Sequence, residues 1–432
     1  MSTSKTVSDL QEKGFASYFP VVFALCLVCG ICGAMLTGAP GIFYPVISAD
    51  LGVQTAEISA WMALCLISCA LLSPVCGRLV EKVDMRVLIV ISAVVEAAGF
   101  AGFSFSTAPW MFWVIGIVMG FPAVVVLGMA TATLINGWFK RFVGMIIGVC
   151  TAFAGIGGAI WLMVGQMIID TQGWRAAYLT FAAIIVVVIV PVTLLCVRTS
   201  PASRGLLPYG TAWSLEKAAG DAQAVEPKSV DPATGTKSLP FLMVIIFGFL
   251  VSMVCMMNGY FPKYVNWVNE QAAAGAATSA FITGAMLASI CQVGAAAGKV
   301  GLGAFSDFSV GTAVAVLSGA GALGTALIWL FPSSFLMPVG GFIFGFFVAG
   351  VLVLSPMLIR CVFGEGKNYP VFFGRVNMFI QFGGAAGNLV WPLLADNCGG
   401  FNAVFGVALV CIVIVLCAGM AAYRMRDVLP RS

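Results

Sequence analysis

Three charged side chains lie inside long apolar segments of this 432-residue sequence: Glu96, Lys299 and Arg375. A charged side chain at the centre of a bilayer costs about 2.5–3.5 kcal/mol on insertion scales, so such residues mark ion or substrate sites by default. Lys299 and Arg375 are suited to binding an anion. Glu96 is suited to binding a proton, because a buried carboxyl is far cheaper neutral than ionised. The three residues therefore predict a protein that binds small anions and protons.

Each of these residues also has a purely structural interpretation. Lys299 lies eight residues before Asp307, about 12 Å along a helix, so its stem could extend to the headgroups. Arg375 could anchor a helix end in the same way. Glu96 could be a protonated carboxyl hydrogen-bonded to a neighbouring helix. The residue types alone leave both interpretations open.

The composition excludes soluble proteins and most enzymes. Hydrophobic residues make up 61% of the chain and charged residues 9%, against about 25% charged in soluble domains. Histidine, the commonest metal ligand and general base, does not occur. The 14 cysteines lie mostly in apolar runs without metal-site spacing. We expect an integral membrane protein that is not an enzyme, with no metal, no cofactor and no nucleic-acid partner.

Apolar stretches long enough to cross about 30 Å of hydrocarbon recur along the whole chain. The short connections between them make a β-barrel implausible, since barrel strands are segments of about ten alternating residues. The sequence therefore predicts an all-α membrane protein with twelve transmembrane helices. We place them near 19–46, 55–77, 87–106, 110–136, 143–168, 176–197, 240–262, 276–304, 310–331, 335–360, 370–395 and 402–423.

The basic residues predict the orientation of these helices. Seventeen of the 21 Lys and Arg residues fall in the termini, the central linker and the loops on the same side, whereas Arg175 and Lys263 alone fall in the opposite loops. By the positive-inside rule both termini and the linker are cytoplasmic. The polar N-terminus lacks the short apolar core of a removed signal peptide. We expect a multi-pass protein of the plasma (or bacterial inner) membrane.

The chain divides into two six-helix halves joined by a polar, proline-containing segment. The predicted regions are a cytoplasmic N-terminus, a first half, a cytoplasmic linker, a second half and a cytoplasmic C-terminus, at 1–18, 19–198, 199–238, 239–424 and 425–432. The halves are weakly self-similar: Gly144 and Gly157 recur as Gly374 and Gly387, 230 residues later. Parallel repeats of this kind are typical of transporters that hold substrate near the membrane midplane.

Several motifs carry a family resemblance. The segment from Gly77 through Arg78 and Glu81 to Arg86 resembles the loop motif after the second helix of the major facilitator superfamily, although Asp is usual where Glu81 stands. Gly303 and Asp307 form a shorter second copy. Further segments resemble the monocarboxylate transporters and the bacterial oxalate:formate antiporters: Gly41–Pro45, Trp138–Gly144, Gly173–Arg175 and Arg204–Gly210.

This resemblance implies a transporter with two pseudo-symmetric six-helix halves and a small organic anion as substrate. It places Lys299 where those transporters carry a basic residue, usually Arg, that pairs with the substrate carboxylate. The second cation of the oxalate antiporters is not reproduced: Ile380 stands there, with Gln381 beside it. Arg375 from lower on the helix, Gln381 as a neutral donor and Tyr44 as a cavity-lining residue complete the candidate substrate contacts.

The resemblance leaves the mechanism open between anion exchange and proton-coupled symport, with Glu96 as the candidate coupling residue. Gly77, Arg78, Glu81, Arg86, Gly303 and Asp307 are the candidate conformational motifs. An alternative is an exporter of drugs or of neutral or cationic metabolites, with Glu96 as a counter-charge. The expected partners are the substrate, protons and the lipid bilayer, and transport requires no oligomer.

Overall fold

The computed structural model describes residues 12–80, 82–211, 230–275, 278–365, 368–398, 400–427 and 429. Within these residues, twelve helices are long and apolar enough to cross a membrane, as the sequence predicts. We number them spans 1 to 12: Phe19–Ile42, Glu57–Leu79, Met85–Ser104, Pro109–Trp138, Val143–Gln172, Trp174–Cys196, Leu239–Ala273, Met286–Phe308, Val310–Leu330, Leu336–Phe363, Tyr369–Ala395 and Phe401–Asp427.

Eight spans are built on single α-helices, some of which continue beyond the apolar part. A span that crosses hydrocarbon is stable as a helix, because the helix hydrogen-bonds its own backbone N–H and C=O groups where no water is present to do so. The described residues hold one isolated bridge, between Phe139 and Tyr209, as their only β geometry. The helices are Thr55–Leu79, Met85–Ser104, Val143–Gln172, Gly284–Phe308, Val310–Leu330, Leu336–Phe363, Tyr369–Asn397 and Phe401–Arg424.

The other four spans contain an irregular turn. Spans 1, 4 and 6 contain π-helical turns at Cys29–Gly33, Val125–Met129 and Ile185–Ile189. Span 7 contains a 3₁₀ turn at Met256–Tyr260. The helices on either side are Phe19–Val28, Ala34–Thr37, Pro109–Val124, Ala130–Trp138, Trp174–Ile184, Val190–Cys196, Leu239–Cys255 and Phe261–Ala273.

Spans 1, 7 and 8 differ most from their predicted boundaries. Span 8 was predicted from residue 276, whereas its helix begins at Gly284, where the Thr283 side chain accepts from the Met286 N–H and caps it. Span 1 ends in a 3₁₀ turn at Pro40–Ile42 and a separate helix, Phe43–Leu51, follows it, so the helix that was predicted to continue to residue 46 is interrupted. Proline at the first position of the turn lacks the N–H that would continue the helix. Span 7 instead extends past its predicted end to Ala273, through a polar segment that holds Lys263 and Glu270.

The chain forms two compact units. Unit 1 comprises Met1–Ser229 and Gly364–Arg375, and unit 2 comprises Val230–Phe363 and Val376–Ser432. The start of the linker belongs to unit 1, where the Tyr18 hydroxyl donates to the Leu207 carbonyl at 2.6 Å. Its end belongs to unit 2, where the Val230 N–H donates to the Phe363 carbonyl at 3.1 Å.

Within unit 1, glycine allows spans 1 and 5 to pack backbone against backbone. A methyl group on Gly157 would clash with the Gly30 carbonyl oxygen, and the Trp161 indole N–H donates to that same oxygen at 2.8 Å. Gly30 lies in the π turn of span 1. Close approach through small residues is how membrane helices gain dispersion energy in the absence of a hydrophobic driving force.

Unit 2 repeats this arrangement between spans 7 and 11. A methyl group on Gly387 would lie 2.5 Å from the Met253 carbonyl oxygen, and the Trp391 indole N–H donates to that oxygen at 2.7 Å. Gly387 and Trp391 follow Gly157 and Trp161 by 230 residues, the offset of the sequence repeat. The weak sequence repeat therefore corresponds to an equivalent helix crossing inside each unit.

Candidate functional site

Glu96 lies at the centre of span 3 and is fully buried within unit 1. It is about 2 Å from the midpoint of its span, from the helical rise and the span bounds. Neither carboxyl oxygen accepts a hydrogen bond from an N–H or O–H group among the described residues, and the one donor beside the carboxyl is the weak S–H of Cys32. Ser92, one turn earlier on the same helix, is also buried with an unpartnered hydroxyl. The structure therefore places in the core of unit 1 a carboxyl that accepts no hydrogen bond from an N–H or O–H group.

Sulfur and hydroxyl groups surround this carboxyl. The Cys32 side chain, from the π turn of span 1, is its polar neighbour, and Cys65 of span 2 lies further away. Cys29, in the same π turn, lies 3.4 Å from the Thr131 hydroxyl of span 4. An ion would require a charged partner here, whereas a neutral carboxyl requires none. The arrangement can bind and release a proton.

Lys299 lies in unit 2, about 3 Å from the midpoint of span 8. Its side chain is half-buried and has interactions within the protein. The helix around it packs on span 10: a methyl group on Gly298 would lie 2.7 Å from the Phe346 Cα. This contact fixes span 8, so the Cα of Lys299 lies near the middle of the span. An ammonium group at this depth can bind a carboxylate as a point charge.

Gln381 and Arg375, the other two predicted contacts on span 11, belong to different compact units. Gln381 lies in unit 2, about 1.5 Å from the span midpoint and so at the depth of Lys299. Arg375 belongs to unit 1 and lies about 10 Å from the midpoint. Lys299 and Gln381 therefore both lie near the middle of their spans, whereas Arg375 precedes Gln381 by six residues, about 9 Å, on the same helix. A substrate contact for each of these residues stays a prediction.

Tyr44 lies outside the apolar part of span 1, in the short helix Phe43–Leu51, and is half-buried. Its neighbour Phe43 stacks on Tyr178, with ring centroids 4.0 Å apart. The segment around Tyr44 therefore packs on span 6 within unit 1. A substrate contact for Tyr44 stays a prediction.

The residues at the end of span 2 and in the loop after it contact spans 3, 6 and 11 at the end of unit 1 that carries the linker. Gly77 packs on Gly374: a methyl group on Gly77 would lie 3.3 Å from the Gly374 Cα. Asp84 accepts from the Arg86 backbone N–H at 2.8 Å and so caps span 3. The Arg86 guanidinium donates to the Leu194 carbonyl at the end of span 6.

The remaining motif residues differ in what the structure describes. Arg78 is exposed in the last turn of span 2, and Glu81 lies outside the described residues. In the second copy, the Gly303 carbonyl accepts from the Ser306 hydroxyl at 2.7 Å, and Asp307 is half-buried. A conformational role for these residues stays a prediction.

The Gly173–Arg175 motif forms a polar cluster at the opposite end of unit 1. Asp50 accepts from the Trp174 indole N–H at 3.0 Å and from the Arg175 guanidinium at 2.8 Å. These two donors hold the pKa of the exposed Asp50 carboxyl below its ordinary value, because they stabilise the ionised form. These hydrogen bonds connect the start of span 6 to the helix Phe43–Leu51, which follows span 1.

Several polar residues in the spans of unit 2 belong to none of the sequence motifs. Gln292 in span 8 and Asn388 in span 11 are exposed, and Asn377 is half-buried. Their spacing relative to Lys299 and Gln381 was a signal that could have identified them. The described residues contain no group of three or more His, Cys, Asp or Glu side chains that could hold a metal ion.

Comparison with known proteins gives a family match over most of the chain. Residues 26–307 match the family model described as Major Facilitator Superfamily. No curated protein is significantly similar in sequence.

Solved structures share the fold across nearly the whole chain. The human organic anion transporter MFSD10 (TETRAN) is 14% identical, with a TM-score of 0.63 over 96% of this chain and 100% of that one. The Escherichia coli fucose:proton symporter FucP is 14% identical, with a TM-score of 0.64 and the same coverages. The proton:xylose symporter XylE, bound to 6-bromo-6-deoxy-D-glucose, is 14% identical, with a TM-score of 0.61 over 97% of each chain. At this identity the likeness concerns the fold alone.

Proposed function

This chain belongs to the Major Facilitator Superfamily, and from that premise we propose that it moves a small organic anion across the membrane by alternating access. As a member of that superfamily it is a multi-pass transporter rather than an enzyme. The observation that carries the proposal is Lys299, a cation held about 3 Å from the midpoint of span 8. Resemblance to the monocarboxylate and oxalate transporters agrees with this role and stays a prediction.

The position of Lys299 supports binding over anchoring. The four methylene groups of a lysine side chain extend only about 6 Å. The nearest edge of a roughly 30 Å hydrocarbon core is about 15 Å from its midpoint and so about 12 Å from the Lys299 Cα, which is offset from the span midpoint by about 3 Å. Extension to the headgroups therefore leaves the charge inside the hydrocarbon. A charge there needs an anionic partner or water, and a substrate carboxylate supplies the partner. Gln381 at the same depth supplies neutral donors and an acceptor.

Glu96 supports proton coupling as the driving reaction. Its carboxyl is fully buried and central and forms no ion pair among the described residues, so it can exchange a proton without breaking one. The same burial weighs against the alternative of a cationic substrate held by Glu96, because a substrate would need to contact a side chain with no exposed surface. Two structures with the same fold are proton symporters, and a third transports organic anions.

The test is transport and binding by purified protein. A carboxylate panel from formate to aromatic acids, with sugars and organic cations, is screened by thermal shift in detergent. A ligand at 100 times its Kd adds about 2.7 kcal/mol of stability. Lys299→Ala should abolish carboxylate stabilisation and uptake into proteoliposomes, and Lys299→Arg should retain part of both. Lys263→Ala, at the polar end of span 7, is the matched control and should behave as wild type.

Full uptake of a carboxylate by Lys299→Ala would refute the proposed site, and stabilisation by cations alone would refute the anion class. For coupling, Glu96→Gln should lose the response of uptake to an imposed pH gradient while exchange of internal for external substrate continues. An unchanged gradient response in Glu96→Gln would remove the coupling role.

A further inference from the structure

Ser92 and Glu96 lie on the same buried face of span 3. They are four residues apart, about 6 Å along the helix and about 40° around it, so their side chains occupy successive turns of one face. Neither residue has any exposed surface. Val94, 48% exposed, lies about 160° around the helix from Glu96. The face that carries the serine and the carboxyl is therefore opposite the exposed face of span 3.

The Ser92 hydroxyl forms no hydrogen bond among the described residues. Serine and threonine inside helices commonly donate to the carbonyl oxygen four residues earlier, and Ser73 and Thr180 do so in this protein at 2.8 Å. Ser92 does not, although a buried hydroxyl without a partner is costly. Rotation of the two side chains would let this hydroxyl donate to the Glu96 carboxyl one turn away.

Span 1 supplies a second donor through its π turn. Cys32 lies in this turn, Cys29–Gly33, without exposed surface, and its thiol is the polar neighbour of Glu96. The π turns of spans 4 and 6 contact both span 3 and the π turn of span 1. All three π turns lie within about 5 Å of their span midpoints. Glu96 therefore lies at the depth where three helices of unit 1 depart from regular geometry, and such departures are frequent at functional sites.

Contacts from two other spans hold this π turn in place. The Gly30 carbonyl accepts from the Trp161 indole N–H of span 5 at 2.8 Å. The Cys29 sulfur lies 3.4 Å from the Thr131 hydroxyl of span 4. Cys32 follows Gly30 by two residues, so the position of its thiol is fixed by the same contacts.

The other titratable groups near this carboxyl are neutral. Cys65 of span 2 is a more distant thiol, and Tyr178 of span 6 stacks on Phe100, one turn from Glu96, with ring centroids 5.9 Å apart. Spans 1 and 4 contain no Asp, Glu, Lys or Arg, and the charged residues of spans 2 and 6 lie at the span ends. Among the described residues, an ionised carboxyl at this depth must therefore be stabilised by neutral donors.

Proton release from Glu96 leaves an ion in the core of unit 1. The carboxyl O–H bond breaks, the proton passes to water and the electron pair stays on the oxygen. An ionised carboxyl without hydrogen bonds is far more costly to bury than the neutral acid, whereas a carboxylate that accepts two or three hydrogen bonds is well stabilised. The two states of Glu96 thus differ in their need for donors.

We propose that the Ser92 hydroxyl and the Cys32 thiol are the donors that hold the Glu96 carboxylate once its proton has left. This inference rests on the proposed proton coupling at Glu96 and adds two positioning residues to it. Both donors keep their own protons and share them with the carboxylate. Because Cys32 lies in the π turn, its hydrogen bond also connects the ionisation of span 3 to the position of span 1.

The experiment is an infrared pH titration of the purified full-length protein in detergent, which needs no substrate. The carbonyl stretching band of a protonated carboxyl disappears as the group ionises, and the part that is absent from Glu96→Gln belongs to Glu96. Ser92→Ala should move the midpoint of this band up by about 1–2 pH units, because a hydrogen bond to a charged group is lost. Cys32→Ala should move it up by less, and Cys32→Ser should move it down, because a hydroxyl donates more strongly than a thiol.

Ser104→Ala and Cys411→Ala are the matched controls, and neither should move the midpoint. Ser104 is buried on the same helix, about 12 Å beyond Glu96. Cys411 is a buried thiol of span 12 in unit 2. In wild type, the S–H stretching band that is lost in Cys32→Ala should shift to lower frequency as Glu96 ionises, because the thiol then donates to a charged acceptor.

Unmoved midpoints in Ser92→Ala and Cys32→Ser would overturn the assignment of the two donors and leave proton coupling by Glu96 standing. Upward shifts in both Cys32 variants would overturn the role of the thiol, since a change in packing would then explain them. A spectrum without a titrating band assigned to Glu96 would refute the coupling role itself. Separate variants test the two donors, so misfolding of one variant leaves the other to decide.

Discussion

Replacing Glu96 with an apolar residue of similar shape should stabilise the protein. Both Glu96 oxygens are buried with only the Cys32 thiol, a weak donor, beside them, and an unsatisfied buried polar group costs about 1–3 kcal/mol. Methionine is unbranched like glutamate and adapts to irregular space, although its larger volume returns part of the gain as overpacking. We expect Glu96→Met to be more stable than wild type by about 1–3 kcal/mol, which for a chain of 432 residues corresponds to a melting temperature about 1–3 °C higher.

The assay is thermal unfolding in detergent, followed by tryptophan fluorescence at a fixed scan rate. Glu270→Met is the matched control: Glu270 is exposed at the polar end of span 7, so its replacement should change stability by less than about 0.5 kcal/mol. Transport by Glu96→Met should lose its response to a pH gradient. A melting temperature for Glu96→Met below that of wild type by more than the control would refute the reasoning, because it would mean that the carboxyl forms a stabilising contact.

Three further predictions concern packing, pH and topology. Gly157→Ala should lower the yield of folded protein and cost about 1–3 kcal/mol, because the new methyl group would clash with a backbone carbonyl. The control, Gly155→Ala, should be tolerated because the space around Gly155 is open. Equal yields of the two variants would contradict the packing. Because its folded pKa is lowered, Asp50 should stabilise the protein fully above about pH 4 and lose that effect as pH falls further, so Asp50→Asn should flatten the acid limb of a melting-temperature profile. A membrane-impermeant maleimide should label the exposed Cys398 from outside intact cells and not label Cys398→Ser; labelling only after permeabilisation would invert the predicted orientation.

The twelve spans were predictable because the signal is local. A run of about 20 apolar residues crosses the membrane as a helix whatever its neighbours are, since hydrocarbon leaves the backbone no other partner. The irregular turns were not predictable. The π turn at Cys29–Gly33 contains no proline and is as apolar as the helix around it, and its Gly30 carbonyl is bonded by Trp161 from another span.

The internal repeat is visible in the sequence, but the backbone contacts that its residues make are visible only in the tertiary structure. Gly157 with Trp161, and Gly387 with Trp391, are related by the same offset in sequence. The oxygen that each pair contacts belongs to Gly30 in one unit and Met253 in the other. These partners are different residue types, so no sequence pattern identifies them, because a backbone carbonyl is present at every position.

For the candidate site, the sequence determined which residues are ionisable and at what depth they lie, because depth follows from position along a helix of known rise. It thus identified Glu96 and Lys299, and the family resemblance added Gln381. Tertiary structure alone decided that the Glu96 carboxyl is fully buried with only the Cys32 thiol as a neighbouring donor. It also decided that Gln292 of span 8 and Asn388 of span 11 are exposed. Burial depends on which helices pack together, and that packing is a property of contacts between residues far apart in the chain.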